Sequence, residues 1–300
     1  MLKAVQAGVL EISYLESGDA DGWPIVLSHG FPFDVHAYDE VASPLAQCGA
    51  RVIVPYLRGF GPTRFLSPDT PRSGQQAALG SDLRSLLDAL GIQTAILGGY
   101  DWGGLASCVV AALWPERVAG LVSLASYDIL DLRRLREPYP PELEHALWYQ
   151  HLFQTERGKA GLARYRRELC RLLWTQWSPN WHFDDATFER TAGSFENEDF
   201  VEVVIHSYRF AFGLVVGDPA LDELESRLKS RPKIPVPTVT LDGASDTLKL
   251  GGTADQAMMF SDQHEHRLIE AGHNLPQEAP DAFVDACLTV RSWVEEAKDK

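Results

Sequence analysis

The residues best suited by type and spacing to do chemistry are Gly99-Tyr100-Asp101-Trp102-Gly103-Gly104. Glycines flank a central carboxylate here, between a run that reads as a buried strand and one that reads as a helix. A strand that turns so sharply into a helix has no room for flanking side chains, and the central residue is left exposed above the sheet as a nucleophile. An aspartate in such a turn also suits a helix N-cap, but other features favour chemistry. His29-Gly30-Phe31-Pro32 follows an earlier strand, and the backbone N–H of Phe31 with that of Trp102 would make an oxyanion hole. Of nine histidines, His273 in EAGHNLPQEAP is the one that follows a late strand and precedes a helix. From there a general base reaches over the sheet edge, while the other eight read as surface or cap residues. For the acid that orients this base, Asp246 in DGASD lies just beyond the strand PTVTL, on the loop side where parallel sheets bind ligands. Asp242 and Asp128 are its rivals. Nucleophile, acid and histidine follow one another in the order expected of covalent hydrolytic catalysis. An aspartate is already ionised at neutral pH, so the histidine can be kept for a second, hydrolytic step.

Strands and helices must alternate to hold these groups, and over the first third they do. IVLSHG and RVIVPYLRG are apolar runs with a helix-compatible segment between them, followed by the aperiodic loop Thr63 to Gly74. Leu79, Leu83, Leu86, Leu87 and Leu90 then recur at helical spacing up to Gly91. TAILGG, LASCVVAALWPERV and AGLVSLASYDI continue as strand, helix and strand. Apolar strands separated by helices indicate a parallel sheet covered on both faces. The texture changes across 131–231, which is rich in Arg, Trp, Tyr and Glu and reads as short helices joined by Pro and Gly turns. Strand patterns return in PTVTLDG and HRLIEAG, and a helix from Ala279 to about Glu296 closes the chain. The expected organisation is therefore a core built from 1–130 and 232–300, with 131–231 as an inserted helical cap.

The 300 residues are 45% hydrophobic and 23% charged, which excludes disordered and collagen-like chains. Such a length buries roughly three quarters of its unfolded surface, so no disulfide or metal staple is needed. The four cysteines, Cys48, Cys108, Cys170 and Cys287, form no ligand spacing and read as reduced thiols. A net charge of −15 argues against nucleic acid or an anionic membrane as partner. No stretch approaches the ~18 apolar residues of a membrane helix, and the N-terminus lacks a signal-peptide core, so a cytoplasmic location is expected.

Together HGFP, LRGFG, GYDWGG, WPERV, GASD and GHNLPQEAP resemble the α/β-hydrolase fold family over nearly the whole chain, and within it the epoxide hydrolases. The resemblance implies a mostly parallel central sheet flanked by helices, with an inserted helical cap. It also implies hydrolysis of an epoxide to a vicinal diol through an ester on Asp101. Two cap tyrosines of that group hydrogen-bond the epoxide oxygen: WYQHLFQ points to Tyr149 and HSYRFAFG to Tyr208. Trp102, Pro32 and Trp148 are the implied substrate contacts. The implied partners are a small epoxide and water, with no metal or organic cofactor, and a homodimer is compatible with the chain. Haloalkane dehalogenases share the DWGG turn but carry asparagine where this chain has Phe31. Fluoroacetate dehalogenases place arginines after the nucleophile, where this chain has Trp102 and Leu105. A haloalkane or haloacid dehalogenase using Asp101, His273 and Asp246 is the alternative enzyme, and a non-catalytic ligand receptor is the alternative of another class. Arg64, Arg133, Arg134 and Arg136 would suit an anionic substrate but read as solvated surface.

Overall fold

Strand pairing starts with a hairpin. β1 (Leu2–Ala7) and β2 (Leu10–Ser17) are antiparallel and form one edge of the sheet. Further in come β3 (Trp23–Ser28) and β4 (Ala50–Pro55), and the two-residue β5 (Arg64–Phe65) pairs back onto β2. β6 (Ala95–Gly99), β7 (Val118–Leu124), β8 (Thr238–Gly243) and β9 (His264–Ile269) complete it. In this computed structural model, which describes residues 1–133, 137–249 and 251–298, the strand order is β1-β2-β4-β3-β6-β7-β8-β9. Arg134 and Arg136 lie outside the described residues. From β4 to β9 every neighbouring pair is parallel. All five residues of β6 are buried, as expected for a central strand covered on both faces.

The crossover helices supply that cover. α1 (Asp39–Gln47) packs with the C-terminal α12 (Pro280–Lys298) on one face, and α2 (Gln76–Ala89) packs with α3 (Trp102–Leu113) on the other. Between β7 and β8 lie seven α-helices among the described residues: α4 (Pro141–Ala146), α5 (Trp148–Phe153), α6 (Glu156–Arg164), α7 (Arg166–Trp177), α8 (Asp185–Ala192), α9 (Phe200–Ala211) and α10 (Asp222–Leu228). The short α11 (Leu275–Glu278) precedes α12. No helix among the described residues is long and apolar enough to cross a membrane.

Buried polar contacts fasten this insertion over the C-terminal ends of the strands. The Trp174 indole N–H donates to the Pro32 carbonyl at 2.8 Å. Asp34, itself buried, accepts from Thr191 on α8 at 2.9 Å. Glu225 on α10 accepts the Ala77 N–H in the first turn of α2, together with the Gln75 and Gln76 side-chain amides. Each of these acceptors is out of water, so losing a partner would leave an unsatisfied polar group.

Three strands stop earlier than their apolar runs suggest, and each stop opens a loop at the C-terminal end of its strand. β3 ends at Ser28 rather than Gly30, and β4 at Pro55 rather than Gly59. The cause lies in His29, whose Nε2 accepts the Leu57 N–H at 3.1 Å and draws both chains out of the ladder. β7 ends at Leu124 because Ala125 and Ser126 adopt φ of 63° and 68°, which a strand cannot continue.

At the turn into α3 the backbone itself needs Gly103. A Cβ there would lie 1.9 Å from the Ser28 carbonyl oxygen, and no side-chain rotation can relieve a clash with backbone. Gly103→Ala should therefore destabilise by about 3 kcal/mol or more. Gly161→Ala, at a half-buried position of α6 with nothing within 4 Å of the added Cβ, should leave stability unchanged or slightly raised. Thermal unfolding of the two variants side by side checks the contrast.

Candidate active site

Asp101 occupies the turn between β6 and α3 with φ 51° and ψ −125°, a left-handed conformation that costs a residue with a Cβ about 1–3 kcal/mol. That strain lifts the carboxylate clear of the sheet. Its Oδ1 accepts two backbone N–H groups, from Phe31 and from Trp102, each at 2.7 Å. The expected N-cap bond and the expected pair of oxyanion donors are thus one arrangement. Oδ2 is left to face His273, whose Nε2 stands 3.7 Å away, too far for a hydrogen bond.

His273 follows β9 and is buried, and its Nδ1 lies 2.9 Å from Asp246 Oδ2 in the loop after β8. A carboxylate only accepts, so Nδ1 carries the proton and Nε2 is the atom that points to Asp101. The two rival acids make no hydrogen bond to His273, although Asp128 lies within electrostatic reach of it and of Asp101. Asp242 accepts from the Thr253 N–H at 2.6 Å and hydroxyl at 2.7 Å. Asp128, beyond β7, faces Lys249 at 3.5 Å and reaches under α3, where a Cβ on Gly104 would stand 2.4 Å from its Oδ2. The three strand ends therefore bring together Asp101, His273 and Asp246.

Burial alone would lower the pKa of His273, but the Asp246 and Asp101 carboxylates beside it raise it to about 10. It is an imidazolium while Asp101 is charged. Burial pushes the carboxyl of Asp128 up to about 7 even with Lys249 at hand.

Over this trio lies an aromatic layer centred on the Phe31 ring, which stacks on Trp102 at 5.6 Å and on Tyr149 at 6.5 Å and meets Tyr208 edge-on at 5.7 Å. Tyr149 from α5 and Tyr208 from α9 meet each other at 5.4 Å and 89°. Burial, foremost, and the Asp101 charge hold the pKa of Tyr149 above the ordinary phenol range. Burial, with Tyr149 and Asp101 nearby, does the same for Tyr208. Both are neutral hydroxyls near a carboxylate. The Gln150 amide donates to the Tyr149 oxygen at 3.1 Å.

Trp148 touches the Tyr149 ring at 6.4 Å but spends its own N–H on Gln176, so it backs the tyrosine. Pro32 follows a cis peptide bond and gives its carbonyl to Trp174. Arg64 is exposed on β5 and Arg133 is 84% exposed in its side chain, which leaves both in solvent. His29 differs from its sequence reading: it is fully buried, neither surface nor cap, and burial brings its pKa down to about 4. The signal for it was its place at the end of an apolar strand. Trp177, whose ring lies 5.2 Å from both His273 and Tyr149, was legible only as a packing residue. Among the described residues no cluster of His, Cys, Asp or Glu is arranged to hold a metal ion.

Because the Asp101 charge supports the imidazolium, Asp101→Asn should lower the proton affinity of His273 at least about tenfold. A pH titration of the His273 ring nitrogens by NMR measures this. In the wild type, the stability gained from protonated His273 is fully present below its ordinary value of 6.5 and lost as pH rises through about 10.

The family model of the α/β hydrolase fold matches residues 24–276, from β3 to α11. A solved structure from Klebsiella pneumoniae, provisionally named an epoxide hydrolase, superposes with a TM-score of 0.95 at 44% identity, covering 96% of each chain. The curated epoxide hydrolase 2 of Siraitia grosvenorii is 34% identical over 116 residues, 39% of this chain and 35% of that protein. The curated haloalkane dehalogenase of Mycolicibacterium paratuberculosis is 36% identical over 113 residues, 38% of this chain and 37% of that protein. The chain thus aligns with little more than a third of the length of either curated relative. With the matched span holding the Asp101 turn, the Phe31 and Trp102 N–H groups and the loops of Asp246 and His273, this chain belongs to the α/β-hydrolase fold family.

Proposed function

We propose that this chain hydrolyses an epoxide to a vicinal diol, with Asp101 as nucleophile, His273 as general base, Asp246 as the acid that orients it, and Tyr149 and Tyr208 as donors to the epoxide oxygen. The observation that carries the reading is the pair of neutral phenols whose rings meet at 5.4 Å near a carboxylate whose Oδ2 faces His273 without accepting a hydrogen bond. Ring opening needs an attacking oxygen on one side and proton donors on the other. The helices of 131–231 act as the cap that brings the donors.

In the first half-reaction Oδ2 of Asp101 bonds to an epoxide carbon as the C–O bond breaks, and the opened oxygen takes up a proton donated through Tyr149 and Tyr208. Oδ1 is already seated on the Phe31 and Trp102 N–H groups, so the attack needs no rearrangement of the carboxylate. Ester formation cancels the Asp101 charge. The share of the support that Asp101 gave to protonated His273 falls away, and the proton His273 releases balances the one gained by the opened oxygen. In the second half-reaction neutral Nε2 takes a proton from water, whose oxygen attacks the Asp101 carbonyl carbon. The oxyanion that develops on Oδ1 meets the same two N–H groups, and collapse of the tetrahedral adduct frees the diol.

A dehalogenase would run the same two steps and release halide. The curated dehalogenase relative keeps that reading in view, but the Phe31 side chain has no amide to offer a halide. The Trp102 indole is also engaged with Tyr208. The aromatic lining suits an apolar epoxide of aromatic or aliphatic character.

His273→Gln should form the ester and fail to hydrolyse it. Intact mass after exposure to a panel of epoxides should show addition of one whole epoxide, localised to the Asp101 peptide. Addition of an alkyl group without its halogen, from a parallel panel of alkyl halides, would reassign the chain as a dehalogenase, and no adduct from either would remove Asp101 as nucleophile. Asp101→Ala should abolish turnover. Tyr149→Phe and Tyr208→Phe should each slow ester formation by about ten to a few hundredfold, and the double variant by more, in single-turnover measurements.

A further inference from the structure

Trp177 is the last residue of α7 and is wholly buried, yet its indole N–H has no hydrogen-bond partner among the described residues. Other tryptophans at partly or fully buried positions use theirs: Trp174 on the Pro32 carbonyl, Trp148 on Gln176 and Trp23 on the Cys48 carbonyl. A ring needed only for packing would carry no unsatisfied donor, since Phe or Leu fills space without one. The Trp177 ring is wedged between His273, at 5.2 Å and 76°, and Tyr149, at 5.2 Å and 53°. Its backbone carbonyl accepts the His273 N–H at 3.3 Å, which ties the end of α7 to the histidine loop.

A second buried atom in the same place also lacks a partner: Nε2 of His273. The two are complementary. Indole N–H is only a donor, and Nε2 of an imidazole whose Nδ1–H is held by Asp246 is an acceptor once the ring is neutral. A water placed between them would donate to Nε2, accept from Trp177 Nε1–H and keep one lone pair for attack.

Resting on the epoxide-hydrolysis reading above, we propose that Trp177 is a further catalytic residue, whose indole N–H holds the hydrolytic water against His273 Nε2 for attack on the Asp101 ester. The step is balanced: the water proton passes to Nε2, its oxygen forms the bond to Asp101 Cγ, and the alkyl oxygen leaves as the diol hydroxyl once reprotonated by His273. The Trp177 N–H keeps its proton throughout. Its work is orientation, since a water with both Nε2 and the indole as partners has a fixed lone pair rather than a rotating one.

The test removes the N–H alone. Two variants are compared with wild type in single turnovers, using an epoxide that forms the His273→Gln adduct: Trp177→Phe, and the full chain with 3-benzothienylalanine at position 177, where sulfur replaces the N–H in a ring of the same shape. Ester formation and decay are followed by rapid quench and intact mass, with thermal unfolding as the check on folding. The expected result is ester formation within about threefold of wild type and ester hydrolysis slowed about ten- to a hundredfold. The ester then accumulates, and kcat and KM fall together while kcat/KM holds. Unchanged hydrolysis in a folded benzothienyl variant would overturn the proposal. A fall in kcat/KM with hydrolysis intact would overturn it too, by assigning the N–H to the epoxide oxygen. The underlying reading fails separately, in the absence of any epoxide adduct on His273→Gln.

Discussion

Two backbone N–H groups, from Phe31 and Trp102, converge on one oxygen of Asp101 at 2.7 Å, and much of the molecule serves to keep them converged. One comes from the loop after β3 and the other from the first turn of α3, so their spacing depends on how closely that loop and that helix approach. Gly103 allows the approach by leaving the Ser28 carbonyl unobstructed. His29 braces the loop from beneath, with Nδ1 at 2.9 Å from the Gly30 carbonyl and Nε2 on the Leu57 N–H. Trp174 holds it from above through the Pro32 carbonyl. The strained φ of Asp101 is sustained because each neighbour is fixed independently.

That single constraint divides the carboxylate into two different oxygens. Oδ1 is fully engaged by the two N–H groups, and Oδ2 alone is left without a hydrogen bond, facing His273 Nε2 at 3.7 Å. On the proposed mechanism the Asp101 charge does double duty, since it is both the attacking group and, beside Asp246, part of what holds His273 protonated. Alkylation removes both at once. On the proposed mechanism the base is therefore switched on by formation of the intermediate it must hydrolyse, and no conformational change is needed. Asp246 remains as the fixed partner that keeps the imidazole in one orientation.

The aromatic layer completes the site from another part of the chain. Tyr149 and Tyr208 come from α5 and α9, helices with no place in the parallel sheet, and they meet because both pack on Phe31. The phenylalanine of the HGFP loop is thus two parts in one: its N–H serves Asp101 and its ring seats the phenols. Burial of these hydroxyls keeps them neutral near a carboxylate, which lets them donate.

The sequence by itself determined the alternation of apolar strands and helices, and with it a parallel sheet whose loop ends collect the reactive groups. It also singled out Asp101, His273 and the Phe31 and Trp102 N–H groups, because glycine-flanked turns and strand-end loops leave local signatures that need no distant contact. It could not choose among Asp246, Asp242 and Asp128, since all three lie at or just beyond strand ends. Tertiary structure places Asp246 2.9 Å from His273, while Thr253 engages Asp242 and Lys249 faces Asp128. Nor could it show that His29 is buried and spent on Leu57, or that Trp177 lies against His273 with its N–H unpaired. Both depend on which distant segments meet. A motif fixes the backbone over a few residues, whereas a side chain's hydrogen-bond partner is decided by packing among separate elements: Leu57 is 28 residues from His29, His273 is 27 from Asp246 and Trp174 is 142 from Pro32.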